Sequence, residues 1–222
     1  MISNNEEIIR RSNLKIEECY PEMAMSLMQE NYSYIHEVDV SKILYWSDGL
    51  KVVGYIVKPK GNGKYPCIIF NRGGNRDFSA IDGNVIVNLL GRIASWGYVV
   101  VASQYRGHGE NEGHDEFGGR DIDDVMNLFP ILEEEECADS TRIGMYGGSR
   151  GGMMTYLALT RTDRIRAAVV RCGVSDLTQW REDRDDMEEV FSELIPGFDS
   201  TKDDLLQARS AVYWADRLCK TT

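Results

Sequence analysis

The sequence lacks a net positive charge and lacks long apolar runs. It has 25 Lys and Arg against 36 Asp and Glu, which gives a formal net charge of −11. The phosphates of nucleic acids and of anionic lipids repel such a chain, so we expect neither nucleic acid nor a membrane as partner. No run of about 18 apolar residues is present to span a bilayer. The opening residues, MISNNEEIIRR, are polar and do not resemble a signal peptide.

Cysteine is scarce and is not arranged for metal binding. No CxxC or other zinc spacing occurs in the sequence, so we expect no metal site, and the chemistry predicted below needs no cofactor. An odd, dispersed set of cysteines indicates reduced thiols in a cytoplasmic protein. The five residues are Cys19, Cys67, Cys137, Cys172 and Cys219.

What the chain does contain is an alternation of strand-like and helix-like segments. The runs HEVDVSKILYWS and LKVVGYIVKP flank Ser47-Asp48-Gly49 and predict an antiparallel hairpin. From residue 66, apolar runs such as PCIIFN, GYVVVASQY and IRAAVVRCG alternate with amphipathic segments. This rhythm predicts an α/β fold, with a mostly parallel sheet after the hairpin and helices on both faces. With 42% hydrophobic residues, 222 residues can bury one sizeable core.

The pattern divides the chain at residue 35. We predict an N-terminal helical segment over 1–34 and an α/β domain over 35–222. Residues 175–205 interrupt the α/β rhythm with eleven acidic residues against three basic ones, and we expect a helical insertion there. A further helix is predicted through LLQARSAVYWADRL. The insertion carries apolar residues at the helical spacing i, i+3, i+4, i+7, namely Met187, Val190, Phe191 and Leu194.

A single serine stands among glycines in RIGMYGGSRGGMMTYLAL, and Ser149 is the central residue of G-x-S-x-G. A nucleophilic serine at a sharp strand-to-helix turn needs small neighbours, because side chains there would meet the strand, the helix and the substrate. We expect strained backbone angles at Ser149 and an intolerance of Val at Gly148. The helix that follows presents free N–H groups to the same point. The alternative is a glycine-rich turn that serves packing only.

A second glycine pair follows the first predicted parallel strand. The run NRGGN places Gly73 and Gly74 in the loop that can supply another oxyanion N–H. Adjacent glycines let the backbone approach a substrate oxygen. The alternative is an ordinary turn.

The chain resembles proteins of the α/β-hydrolase fold in the order and spacing of four segments. These segments are NRGG, SQYRGHGENEG, EFGGRDIDDVMN and GGSRGGMMTYLAL. More narrowly, they are similar to the catalytic domain of the prolyl oligopeptidase (S9) peptidases and their dienelactone-hydrolase-like relatives, over about residues 35–220. The resemblance implies Ser149 as nucleophile and the backbone N–H groups of Gly74 and Arg150 as the oxyanion hole. The family's HGGP-like loop is replaced by RGGN here, which keeps Gly74 and loses the histidine.

The partners of such a serine are not found where the family has them. In α/β-hydrolases the acid and then the histidine follow the serine, whereas His36, His108 and His114 all precede Ser149. We therefore expect that the last two strands, the acid and the histidine are missing from this sequence, and that the chain is inactive as given. The missing strands would leave an exposed edge, through which we expect copies of the chain to associate.

Two residues are weaker candidates for the missing partners. His108 lies in a loop after a predicted strand and is either a substitute base or a polar loop residue. Asp176 follows the sixth predicted strand and is either a substitute acid or the start of a loop. A set of carboxylates before the serine suggests a metal site, but a solvated helix N-terminus explains it better. The set is Asp115, Glu116, Asp121, Asp123 and Asp124.

The sequence thus predicts a serine hydrolase that cleaves a peptide or ester bond in a small substrate through an acyl-enzyme on Ser149. Two alternatives stay open. One is a scaffold or binding protein that has lost the chemistry. The other is a carboxylesterase that acts on small esters rather than a peptidase.

Overall fold

A computed structural model describes residues 7–16, 20–21 and 30–218. Its centre is a seven-stranded mixed sheet in the order β1-β2-β3-β5-β4-β6-β7. The pairs from β1 to β5 in this order are antiparallel, and those from β5 to β7 are parallel. The strands are β1 (Ile8–Asn13), β2 (Val38–Ser47), β3 (Leu50–Pro59), β4 (Tyr65–Asn71), β5 (Val99–Ser103), β6 (Ala138–Gly148) and β7 (Ile165–Arg171).

The predicted hairpin is β2 and β3, paired from Val38↔Pro59 to Ser47↔Leu50. Asp48 and Gly49 form its two-residue turn with φ of 51° and 78°. Positive φ at both central residues gives the turn a twist that matches the strands, and Asp-Gly is well suited to it. The α/β fold and the hairpin are confirmed. The antiparallel part is larger than predicted, because β1 and the β3–β5 pair belong to it.

Side chains alternate between two apolar cores, one on each face of the sheet. In β5, Val99 and Val101 belong to the first core and Val100 and Ala102 to the second, and all four are fully buried. This double burial explains the continuous apolar run of β5, which lies inside the sheet between β3 and β4.

Helices cover both faces, as predicted. The first core is lined by four helices, α3 (Ile122–Met126), α4 (Leu128–Glu134), α5 (Arg150–Leu159) and α7 (Asp186–Leu194). The segment from Gly83 to Ser95 lines the second core, with a π-helical stretch at Ile86–Gly91. None of the helices in the described ranges is long and apolar enough to cross a membrane. The α-helices are α1 (Gly83–Val85), α2 (Arg92–Ser95), α3 (Ile122–Met126), α4 (Leu128–Glu134), α5 (Arg150–Leu159), α6 (Leu177–Asp183), α7 (Asp186–Leu194) and α8 (Asp204–Gln207). The 3₁₀ helices are Glu30–Glu37, Ala211–Tyr213 and Ala215–Arg217.

The helical prediction for residues 1–34 is wrong at Ile8–Asn13, which form strand β1. Backbone pairing with β2 decides the conformation there, and Arg11 adds a salt bridge of 2.8 Å to Glu135. A pairing partner distant in sequence overrides the local preference. The methionine-rich part of the predicted helix lies outside the described residues.

Two other helix predictions need correction. The helix predicted across 121–135 is broken into α3 and α4 at Asn127. Pro130 has no N–H to donate to the carbonyl of Met126, so a continuous helix cannot form. The helix predicted through 205–218 ends at Gln207, and the Ser210 hydroxyl instead accepts the N–H of Leu177 at 2.8 Å. By contrast, the predicted amphipathic helix is present as α7, with all four apolar residues buried.

Candidate active site

Ser149 lies at the turn between strand β6 and helix α5. Its φ of 53° and ψ of −124° fall in a region that residues with a side chain rarely adopt. Its side chain is exposed and forms no hydrogen bond with any residue in the described ranges. Helix α5 begins at Arg150, as the sequence predicts. The hydroxyl is therefore presented to solvent from a strained turn beside a helix N-terminus.

Backbone hydrogen bonds hold this strained turn. The N–H of Ser149 donates to the carbonyl of Arg171 at 3.0 Å, at the end of β7. The carbonyl of Ser149 accepts from Gly152 at 2.9 Å and from Val174 at 3.2 Å. The backbone of Ser149 is thus fixed between α5 and the segment after β7, and this offsets the conformational strain.

The glycines around Ser149 differ in their importance. A side chain at Gly147 would collide with the carbonyl of Gly151, and one at Gly151 would collide with the carbonyl of Asn71. At Gly148 an added Cβ would meet only the carbonyl oxygen of Arg171, at an ordinary 3.6 Å. An added Cβ at Gly148 therefore meets no collision, and the intolerance of the larger side chain of Val there stays a prediction. Strands β6 and β4 and helix α5 approach one another closely at Gly147 and Gly151 instead.

The second glycine pair lies against the serine turn. A Cβ built on Gly73 would be 3.0 Å from the carbonyl oxygen of Gly148 and 3.5 Å from the Cβ of Ser149. Gly74 has a φ of 68°, and a side chain on it would collide with the carbonyl of Phe78. The structure therefore brings the predicted Gly74 loop and Ser149 together. We call residues 72–79 the glycine loop.

Arg72 organises the glycine loop from within. Its buried guanidinium donates to the carbonyls of Gly73 (3.2 Å), Arg76 (2.9 Å) and Phe78 (3.2 Å). It also reaches the carbonyl of Gln104 at 3.4 Å. Burial lowers the pKa of Arg72 to about 10, so the side chain stays charged at neutral pH. The residue that stands in place of the family's histidine is a structural cation.

The side chain of Arg150 is fully buried under the site. Its Nη2 lies 2.5 Å from Asp115 and 2.6 Å from Asp121, and its Nη1 donates to Asp115 at 2.7 Å. Nη1 also donates to the carbonyl of Gly74 at 3.1 Å. The guanidinium lies over the ring of Phe117, with Cζ 4.5 Å from its centroid.

The two carboxylates that hold Arg150 have shifted pKa values in opposite directions. Burial acts to raise the pKa of Asp115, but the charge and hydrogen bonds of Arg150 outweigh it, and this pKa lies below its usual value. Burial raises the pKa of Asp121 despite the same guanidinium, and the nearby Asp115 adds to the rise. Proximity to Arg150 thus keeps Asp115 ionised inside the protein.

The explanation of the acidic set as a solvated helix N-terminus is wrong for its buried members. Asp115 and Asp121 hold Arg150, and Asp124 binds the buried guanidinium of Arg106 at 2.8 Å. Buried cations need carboxylate partners, because an unpaired charge in the interior is costly. Sequence analysis missed these pairs. A long cation next to a glycine-packed turn is the signal that could have revealed them.

The structure does not place either substitute partner against Ser149. His108 is buried, and its Nδ1 lies 3.4 Å from Asp77 without forming a hydrogen bond to any described residue. Burial and the nearby Arg72 lower its pKa. Asp176 caps helix α6 by accepting the N–H groups of Thr178 (3.0 Å) and Gln179 (3.2 Å). Asp176 thus begins a helix, whereas the alternative made it the start of a loop.

A cavity of about 360 Å³ opens beside Ser149. The glycine loop forms one wall, the start of the Gly83–Ser95 segment a second, and the end of β7 a third. Apolar side chains that line it include Phe70, Phe78, Val85 and Leu89. Across the described part of the chain, no cluster of three or more His, Cys, Asp or Glu side chains is arranged to hold a metal ion.

Comparison with known proteins places this chain in a family. The model of the prolyl oligopeptidase family, Peptidase_S9, matches residues 87–220. The uncharacterized peptidase YtmA of Bacillus subtilis (strain 168) is 33% identical over 156 residues, which are 70% of this chain and 59% of that protein. The chain therefore spans less than two thirds of the length of this relative.

Solved structures agree on the fold. An acylaminoacyl peptidase of Pyrococcus horikoshii superimposes with a TM-score of 0.67 at 22% identity, over 89% of this chain and 32% of that one. An acetyl xylan esterase from Paenibacillus sp. R4 gives a TM-score of 0.60 at 17% identity, over 92% of this chain and 66% of that one. At these identities the likeness concerns the α/β-hydrolase fold alone.

Proposed function

Because the chain belongs to the prolyl oligopeptidase family, we propose that it is a hydrolase of peptide or ester bonds in which Ser149 forms the acyl-enzyme. The observation that carries the proposal is the exposed hydroxyl of Ser149 on a strained turn, between the N-terminus of α5 and the glycine loop. A glycine-rich turn needed only for packing has no reason to expose a strained serine.

The chemistry follows from this geometry. The Oγ of Ser149 attacks the substrate carbonyl carbon, and the carbonyl oxygen becomes an oxyanion. The backbone N–H groups of Gly74 and Arg150 donate to that oxygen and stabilise the developing charge. The carbonyl then re-forms as the bond to the leaving group breaks, and the serine proton passes to solvent or to an added base. Water then cleaves the ester bond between the acyl group and Oγ, which gives the free acid and restores the Ser149 hydroxyl.

The 222-residue chain alone is proposed to perform this reaction slowly. All three histidines precede Ser149, and the buried one, His108, lies beside Asp77 and forms no hydrogen bond to the serine. Without a base, the hydroxyl stays protonated and weakly nucleophilic near neutral pH. Oxyanion donors alone leave an acceleration of about 10³ over water in hydrolases that have lost triad members.

The choice of substrate depends on whether an acid can protonate the leaving group. A peptide amine must be protonated to leave, whereas an activated ester expels a stable anion without help. We therefore propose that this chain alone favours activated esters over peptides. The relative YtmA is described as a peptidase, and peptide cleavage is proposed for a site that has an acid and a base.

A hydrolysis assay with added imidazole tests the proposal. Imidazole is small enough for the 360 Å³ cavity and can act as an external base. We expect it to accelerate p-nitrophenyl acetate hydrolysis by the chain more than by its Ser149→Ala variant at the same concentration. Ser175→Ala, a change at another loop serine, should behave like the parent. Equal rates for the parent and Ser149→Ala would favour the non-catalytic scaffold.

The cell compartment is also a proposal. Cys67, Cys137 and Cys172, the cysteines within the described ranges, are all free. Free thiols support a reducing compartment, and we propose the cytoplasm.

A further inference from the structure

We propose that the side chain of Arg150 is a positioning residue, which holds Gly74 where its backbone can serve the oxyanion. The inference rests on the proposed function of Ser149. It assigns Arg150 a role beyond its own backbone N–H.

The guanidinium of Arg150 has one available orientation. Asp115 and Asp121 engage both of its terminal nitrogens at 2.5–2.7 Å. The rings of Phe117 and Tyr105 lie against it, at 4.5 and 5.4 Å from Cζ. A planar fork held by two carboxylates and two rings cannot rotate away from its acceptors.

From this fixed position Nη1 reaches the carbonyl of Gly74 at 3.1 Å. Gly74 has a φ of 68°, and it carries no side chain that could hold it in place. Other side-chain contacts hold the glycine loop at different residues: Arg72 donates to the carbonyls of Gly73, Arg76 and Phe78, and Arg76 pairs with Glu193. Arg150 is therefore the side chain that fixes the glycine itself.

The same residue links both halves of the proposed oxyanion hole. Its backbone N–H lies in the first turn of α5, and its side chain holds the loop that carries the other donor. A relative shift of about 1 Å between such donors is enough to cost rate. Fixing both to one residue keeps their spacing constant.

Hydrogen exchange tests the positioning role without requiring activity. We expect Arg150→Met to speed amide exchange in residues 72–79 by about tenfold or more, because a hydrogen bond to a charged donor is lost. Exchange in β6 at 143–147 should change far less. Arg150→Lys should resemble Arg150→Met, since one ammonium cannot reach Asp115, Asp121 and Gly74 together.

Arg106→Met is the matched control. Arg106 is equally buried and is paired with Asp124, but no hydrogen bond joins it to residues 72–79 within the described ranges. It should lower global stability without a selective effect on the glycine loop. If Arg150→Met does not fold, Asp115→Asn keeps the arginine and loosens its clamp, and should show the same local effect.

The imidazole-supported ester assay supplies the second readout. We expect Arg150→Met to lose at least about tenfold in kcat with little change in KM, and Arg106→Met to keep the parent rate. Unchanged exchange at 72–79, or equal effects of the two variants, would overturn the positioning role, as would a parental kcat in a folded Arg150→Met. Failure of the proposed function is distinguishable, because the parent would then equal Ser149→Ala.

Discussion

At the residue scale, Ser149 lies on a strained turn, and two buried carboxylates hold the side chain of its neighbour Arg150. The glycines and the strand–helix context predict the strained turn, which the structure has at φ 53°. The partners of the Arg150 side chain, Asp115 and Asp121, stand 35 and 29 residues earlier in the chain. Local sequence carries the backbone requirement of a turn. The local sequence does not indicate which distant carboxylate binds a buried guanidinium.

The close packing of the serine turn predicts unequal effects of glycine substitutions. Gly147→Ala should lower the free energy of unfolding by about 1–3 kcal/mol or more, because the methyl group collides with the backbone of α5. Gly148→Ala, one residue along, meets only an ordinary contact and should cost much less. Urea unfolding of both variants measures the difference. Equal losses would show that packing at this turn is not as described.

His108 predicts a pH dependence of stability. Burial, and then the charge of Arg72, lower its pKa in the folded chain, so the unfolded chain binds the proton more tightly. This residue's contribution is fully present above its unfolded pKa of about 6.5 and is lost as the pH falls below that value.

Urea midpoints at pH 7.5 and 5.5 check this dependence. The parent should lose more stability on acidification than His108→Gln does. His114→Gln is the control, since His114 lies in the same loop and is exposed. A His108→Gln variant that loses as much as the parent would remove His108 as a cause.

At the element scale, local amphipathic patterns predict individual helices and hairpins. They do not predict a strand whose pairing partner is distant in the sequence. The hairpin and α7 follow from local alternation, and both are present. Strand β1 was predicted as helix because its conformation is decided by β2, about 30 residues later in the chain. The break before α4 was in principle readable, since Pro130 is tolerated in the first turn of a helix but disfavoured in the interior of a continuous one.

The packing of α7 predicts how much its buried residues contribute to the free energy of unfolding. Phe191 is fully buried and makes edge contacts with Phe117 at 5.4 Å and Trp180 at 6.4 Å between ring centroids. Phe191→Ala should destabilise the chain by about 3–5 kcal/mol. Glu189→Ala, on the exposed face of the same helix, should change the free energy of unfolding by less than about 0.5 kcal/mol. Thermal or urea unfolding separates the two.

At the scale of the whole molecule, helices cover both faces of the sheet, and strand β7 lies at one edge of it. Within the described ranges β7 pairs only with β6, and Val169 on it is 57% exposed. Association through this edge stays a prediction. Unpaired strand edges and exposed apolar residues favour contact with other chains.

Light scattering over a concentration series tests the association. We expect the parent's average mass to rise with concentration, and Val169→Lys to reduce that rise because a charged edge resists pairing. Val212→Lys changes a similarly exposed valine away from β7 and should leave association unchanged. A parent that stays monomeric throughout would contradict the prediction.

We propose above that Ser149 accepts an acyl group. Incubation with p-nitrophenyl acetate, followed by mass spectrometry of the intact protein and of its peptides, is the direct test. Because no side chain in the described ranges is hydrogen-bonded to the Ser149 hydroxyl, we expect water to be activated poorly there, so the acyl-enzyme should be released slowly and should accumulate. We predict one acetyl group on the peptide that contains Ser149, formed faster than on any other residue and absent from Ser149→Ala. A parent that gains no acetyl group there, or that gains it equally at other serines, would contradict the account.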